Sequence, residues 1–155
     1  MFSIGDTVCY PLHGVGTIEA IEARDVLGKT TTYYVLRLIN TKLTAMLPVD
    51  NAEAVGLRSI ITKEDCEALF EYYRTAQPCL GSANWNQRYR DNMDKLRTGD
   101  PKIVVDVMLC LGKRNSIRTL SSGERKMLSN AKNILCTEIS VVLEKPIEEI
   151  EAMFD

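Results

Sequence analysis

The chain has 155 residues, 45% hydrophobic and 26% charged, with 19 Lys and Arg against 21 Asp and Glu and a net charge of −2. That balance suits a folded globular protein of one medium or two small domains. It excludes a disordered polyelectrolyte and a protein that coats nucleic acid through bulk charge. No apolar run approaches the ~20 residues needed to cross a bilayer. The opening Met-Phe-Ser-Ile-Gly-Asp has no basic region followed by an apolar stretch, so no secretion signal and a cytoplasmic location are expected.

Residues 1–50 read as β. Asp6 to Tyr10 predicts a short strand ended by Pro11, with Gly14 and Gly16 punctuating a turn. Thr17 to Arg24 resumes with alternation, and Gly28-Lys29 is a turn. Thr31 to Ile39 is the clearest strand, with Tyr34, Leu36 and Leu38 on one face and Tyr33, Val35 and Arg37 on the other. Leu43 to Val49 is another, stopped near Pro48. Met46 and Leu47 each fit either a core-facing or an exposed position. Short strands broken by Gly and Pro at roughly ten-residue intervals suggest a small curled sheet or barrel.

The pattern then turns helical. Thr62, with Glu64 and Asp65 behind it, is a helix N-cap with acids in the first turn. Ala68, Leu69, Tyr72 and Tyr73 follow at helical spacing. Pro78 to Ala83 reads as a loop, and a second helix runs from near Asn84 to Leu96, ended by Thr98-Gly99. Asp100-Pro101 opens a third, with Ile103, Val104, Val107, Met108 and Leu111 as its apolar positions. Ser121 and Glu124 have capping-box spacing and open a long fourth helix carrying Met127, Leu128, Ala131, Leu135, Ile139 and Val142. Pro146 ends or restarts it before a short acidic helix. Strands followed by helices imply an α+β chain of two domains, 1–58 and 62–155, each with a modest core.

The net charge hides an asymmetry. Residues 84–132 carry eleven Lys and Arg against five Asp and Glu, a net of +6, whereas residues 133–155 carry one Lys against six acids, a net of −5. Inside the basic stretch lies the only tryptophan, Trp85, in Ser82-Ala83-Asn84-Trp85-Asn86-Gln87-Arg88-Tyr89-Arg90. Amides and guanidiniums surround it rather than aliphatics. Two readings fit: a ring that stacks on or wedges between nucleic-acid bases, or a half-buried anchor at a helix start. The coincidence of an aromatic with a confined basic region favours a local anionic partner.

Catalytic signals are poor. The single histidine, His13, lies in a Pro-Leu-His-Gly turn, and the five cysteines are widely spaced without a CxxC pair. No disulfide framework, metal site or cofactor is expected, and Cys66, Cys110 and Cys136 read as small buried hydrophobes. Gly14-Val-Gly16 lacks the Lys-Ser/Thr of a phosphate loop. The edge of the small sheet is a candidate for strand addition by a protein partner. Arg24, Arg37, Leu43 and Met46 could supply side-chain contacts there.

Taken together, "FSIGDTVCYPLHGVG" from Phe2, Ile18 to Glu22, and "LTAMLPVDNAEAVGLR" from Leu43 resemble the opening of the CarD/CdnL family of bacterial transcription regulators. "NWNQRYRDNMDKLRTGDP" and "LSSGERKMLSNAKNILCTEIS" resemble that family's helical domain. The first half alone is shared with the transcription-repair coupling factor; the second half separates the two. The resemblance implies a small Tudor-like β-barrel that binds the RNA polymerase β subunit, then an all-α domain that contacts promoter DNA at the upstream edge of the open bubble. By the same resemblance Trp85 is the minor-groove wedge and Arg88, Arg90, Arg125 and Lys126 are basic DNA contacts. Arg24 matches a polymerase-contacting arginine. The chain departs from some members at Met46 and Gln87, where they carry basic residues. A monomer, not an enzyme, is implied. Other classes left open are a β-barrel protein adaptor whose helices bind protein rather than DNA, and a free-standing DNA-binding repressor.

Overall fold

The structure is a computed structural model and describes residues 1–154. Strands β1 (Thr7–Tyr10), β2 (Gly14–Val26), β3 (Lys29–Leu38), β4 (Thr44–Pro48) and β5 (Arg58–Ser59) come first. Helices α1 (Lys63–Thr75), α2 (Trp85–Arg97), α3 (Pro101–Ile117), α4 (Ser122–Leu143) and α5 (Ile147–Met153) follow. The strands form one antiparallel sheet of order β4-β3-β2-β1-β5, with β4 and β5 at its edges. β5 is two residues long, too short to leave a periodicity in the sequence.

Alternation places the core. Tyr34, Leu36 and Leu38 are buried on one face with Val8, Ile18 and Leu47. The register pairs Tyr34 with Leu47 and Val35 with Met46, so neighbouring residues of β4 point to opposite faces. Leu47 therefore enters the core and Met46 stays exposed. One reading is corrected: Gly14 and Gly16 lie within β2, and the turn falls at Pro11 to His13. The glycines serve close packing. A Cβ on Gly14 would stand 2.3 Å from Asn40 Oδ1, and one on Gly16 would stand 3.0 Å from the Arg37 carbonyl oxygen.

The helix starts follow their caps. Thr62 and Asp65 form a complete capping box on α1, while Asn84 caps α2 and Asp100 caps α3 with Pro101 behind it. Ser121 Oγ accepts from the Glu124 backbone N–H at 3.2 Å, but the Glu124 carboxylate does not close the box because it is engaged elsewhere. The helical core is built on α3 and α4, where Val107, Met108, Leu111, Met127, Ala131, Leu135 and Ile139 are buried as their spacing required. Val105 and Cys110 join them, whereas Ile103 and Val104 are only partly covered. Cys66, Cys110 and Cys136 are buried as read, and so is Cys9.

The sheet and the helices have separate hydrophobic cores, joined by polar contacts. Arg58 grips Glu138 of α4 with two hydrogen bonds of 2.7 and 2.8 Å, and its Nε donates to the Gly99 carbonyl at 2.8 Å. Glu138 also accepts from the Ile61 N–H at 2.9 Å. Asn40 donates to Asn133 Oδ1 at 2.7 Å and Thr137 Oγ1 at 2.9 Å, while its own oxygen accepts from the Val15 N–H. Burial and the nearby Glu138 carboxylate push the Cys9 thiol up to about 12, which keeps it protonated and unreactive.

Candidate functional site

Two regions carry exposed groups with recognition chemistry. The first is the tip of the helical unit, where the N-termini of α2 and α4 meet. Trp85 is the first residue of α2, held by the Asn84 cap. The residue is 41% exposed, and its ring stacks on Tyr89, centroids 5.1 Å apart and planes 22° from parallel. The Trp85 Nε1–H donates to Ser121 Oγ at 2.9 Å. A polar anchor at one edge and an aromatic floor beneath leave part of the indole free at fixed orientation. Trp85 thus pins a helix start, as the anchor reading expected, and also presents a flat apolar surface.

Arg88 occupies a place different from that expected of a surface cation. It is 7% exposed. Its Nε and Nη2 donate to the two carboxylate oxygens of Glu124, each at 2.8 Å, and Nη1 donates to the Ser82 carbonyl at 2.9 Å. Glu124 is 1% exposed, and the hydrogen bonds from Arg88 hold its carboxyl below the usual carboxylate range. Arg114 reaches the same loop from α3, donating to the carbonyls of Leu80 and Ser82. All the fork donors of Arg88 that point at Glu124 are committed, so the group does not face solvent phosphate.

Arg90, Arg125 and Lys126 are exposed. Arg90 donates to the Gln87 side chain at 3.1 Å. At ~100° per residue it lies about 140° around α2 from Trp85, on the solvent side of the helix. Arg125 and Lys126 sit on the outer face of the first turns of α4. Beside Trp85 runs a cleft of about 590 Å³, walled by Leu80, Arg114, Ile117, Arg118 and Ser121. Arg118 and the Tyr89 platform were missed in the sequence. The Trp85–Tyr89 spacing of four residues was the available signal.

The second region is the outer face of the sheet. Arg24 on β2 pairs with Thr31 on β3, and Arg37 on β3 pairs with Thr44 on β4. With Val35 opposite Met46, the alternation brings Arg24, Arg37 and Met46 to one face. Leu43 precedes β4 and is exposed at the end of that edge strand, out of step with Met46. Arg24 is hydrogen-bonded to Glu22 at 3.0 Å and Arg37 lies 3.8 Å from Glu19, both at the surface. Exposed pairs of this kind contribute only ~0–1 kcal/mol, so a partner's carboxylates can replace them.

Among the described residues no group of three or more His, Cys, Asp and Glu could hold a metal ion. Among the same described residues no helix is long and apolar enough to cross a membrane. A small sheet with an open edge, joined through Arg58 and Glu138 to a helical unit with an aromatic and cationic tip, defines an α+β class of two units, each with exposed groups suited to recognition.

The comparisons give that class a family. Residues 2–61 match the family model described as CarD-like/TRCF RID domain, and residues 70–155 match that of the CarD C-terminal domain. A curated relative from Bacillus subtilis (strain 168), "Putative transcription factor YdeB", is 32% identical over 145 residues, 92% of each chain. Among solved structures, the NMR structure of the 72-residue N-terminal domain of Myxococcus xanthus CarD is 30% identical. It covers 38% of this chain and 79% of that one with a TM-score of 0.33. The chain belongs to the CarD family of transcription regulators, which is not an enzyme class. Its α+β architecture is a small Tudor-like β unit followed by an all-α unit.

Proposed function

We propose that this protein binds the β subunit of RNA polymerase through the outer face and edge of its sheet. From there it stabilises the open promoter complex by pressing Trp85 into the minor groove at the upstream edge of the bubble. Arg24, Arg37 and Met46 form the polymerase-facing surface, with Leu43 at the end of the strand. Arg90, Arg125 and Lys126 contact DNA phosphates around Trp85. A protein that acts on polymerase and promoter DNA works in the cytoplasm, and the proposal includes that location.

The observation that carries this reading is the state of Trp85: the chain's only tryptophan is held by Ser121 and Tyr89 with part of its ring exposed, near the start of the basic stretch 84–132. Family membership supports it. So does the physics. Few phosphates are neutralised, so affinity for DNA alone is weak. Tethering to polymerase raises the effective concentration of DNA, and weak contacts then suffice. A wedge at a melted junction avoids much of the unstacking cost that an intact duplex imposes. Tighter binding to open than to closed promoter shifts that equilibrium.

The test has two arms. Purified β subunit is retained by the wild type and lost on Arg24→Glu or Met46→Glu. In competitor challenge, Trp85→Ala binds polymerase normally but shortens the lifetime of open complexes by roughly five- to a hundredfold, the ~1–3 kcal/mol of one base–aromatic contact. Wild-type lifetimes with Trp85→Ala would exclude the wedge.

A further inference from the structure

We infer that Arg88 and Glu124 are a positioning pair that acts on DNA through Trp85, and that Arg88 is not itself a phosphate contact. This rests on the wedge reading above.

The pair closes a chain of contacts around the tryptophan. Ser121 Oγ accepts from both the Trp85 indole N–H and the Glu124 backbone N–H. Glu124 receives the Arg88 fork, and Arg88 fastens the Ser82 carbonyl of the loop that leads into α2. Trp85, Arg88 and Tyr89 lie on one stripe of α2, three and four residues apart, so rotation or slippage of α2 against α4 moves all three together. Gly123 sits against the ring: a Cβ there would lie 3.5 Å from Trp85 Cζ2. The orientation of the indole is thereby set by a buried ion pair at the base of the wedge. A phosphate contact would need the guanidinium in solvent, and turning it out would strand the Glu124 carboxylate in the protein interior.

Two substitutions separate the roles by sign. Arg88→Lys keeps the positive charge but loses the two-pronged fit to a carboxylate. Glu124→Gln removes a negative charge from a DNA-facing tip. If Arg88 touches phosphate, Arg88→Lys is close to wild type and Glu124→Gln binds promoter DNA as well or better. If the pair positions Trp85, both shorten open-complex lifetime within the five- to hundredfold range of Trp85→Ala. Both also leave the salt dependence of DNA association unchanged.

Trp85 is the sole tryptophan, so its emission reports the site without DNA. Expected are a shifted emission maximum and increased quenching by acrylamide in both variants at temperatures where circular dichroism shows them folded. Ser121→Ala, which leaves the ion pair in place, moves emission in the same direction and covers the case in which a brace variant fails to fold. Unchanged emission in folded Glu124→Gln overturns the proposal, as does a wild-type open-complex lifetime in folded Arg88→Lys. The wedge reading fails separately, if Trp85→Ala leaves lifetimes untouched while the brace variants still shift the emission.

Discussion

Replacing Glu138 by Ala tests what joins the two units. The carboxylate is 1% exposed and accepts three hydrogen bonds, two from Arg58 and one from the Ile61 N–H. Its removal leaves a guanidinium facing an empty, largely closed space and one backbone donor without a partner. Breaking a buried pair in this way costs about 3–5 kcal/mol. The Arg58 side chain keeps 26% of its exposure and its bonds to the Gly99 and Ser59 carbonyls, which puts the loss near 3 kcal/mol. In a chain of this length each kcal/mol moves the melting temperature by about 2–4 °C, so a fall of roughly 6–12 °C is expected in thermal melting at pH 7. The double variant Arg58→Met with Glu138→Met should recover most of it, because an apolar pair needs no charge compensation. A melting temperature within about 2 °C of wild type for Glu138→Ala would refute the joint as described. So would a double variant no more stable than the single one.

Two further outcomes are expected. Reversing Arg125 and Lys126 to Glu should lower the salt slope of promoter association by roughly one unit per lost phosphate contact, with β-subunit binding intact; an unchanged slope in salt titrations would make them a solvated face. The Arg88–Glu124 brace should fail in acid. Because Glu124 titrates lower in the folded protein than its ordinary ~4.3, its contribution is complete above that value and is lost as pH falls through the folded one. The difference in melting temperature between wild type and Glu124→Gln should therefore hold from neutral pH to about 5 and shrink below about 4. A difference independent of pH across this range would contradict the assignment.

What the sequence disclosed was short in range. Thr62, Asp100-Pro101 and Ser121 mark helix starts because a cap is a contact between residues two or three apart. The alternation of Tyr34, Leu36 and Leu38 places the sheet core because a strand's two faces are separated at every residue. The braces were hidden because Arg58 and Glu138 are eighty residues apart and Arg88 and Glu124 thirty-six. Yet a signal was present. Glu124 and Glu138 both fall on the apolar stripe of α4 with Met127, Ala131 and Leu135. A carboxylate on a buried stripe requires a cation from elsewhere. Arg88 lies on the same inner stripe of α2 as Asn92 and Leu96, which are also buried. Basic composition near Trp85 singled out this tip of the molecule but could not tell a guanidinium that faces solvent from one that faces a carboxylate.

The same helix carries both buried acids. Glu124 and Glu138 are fourteen residues apart on α4, about 21 Å along its axis at 1.5 Å per residue, and they return to nearly the same face. One clamps α2 and with it the tryptophan; the other clamps Arg58 at the edge of the sheet. α4 therefore ties the sheet edge and the tryptophan-bearing tip to one helix. Under the proposed function, where the DNA contacts are weak alone, this matters. Effective concentration at a tethered site depends on how narrowly the linkage restricts the second group, and a flexible linker would spread Trp85 over positions far from the junction. A shared helix restricts it to fewer, and the ordering cost is met at folding rather than at the promoter. Loosening either clamp should thus weaken action on DNA even where neither glutamate touches it, and the Glu138 end should do so without any change in the emission of Trp85.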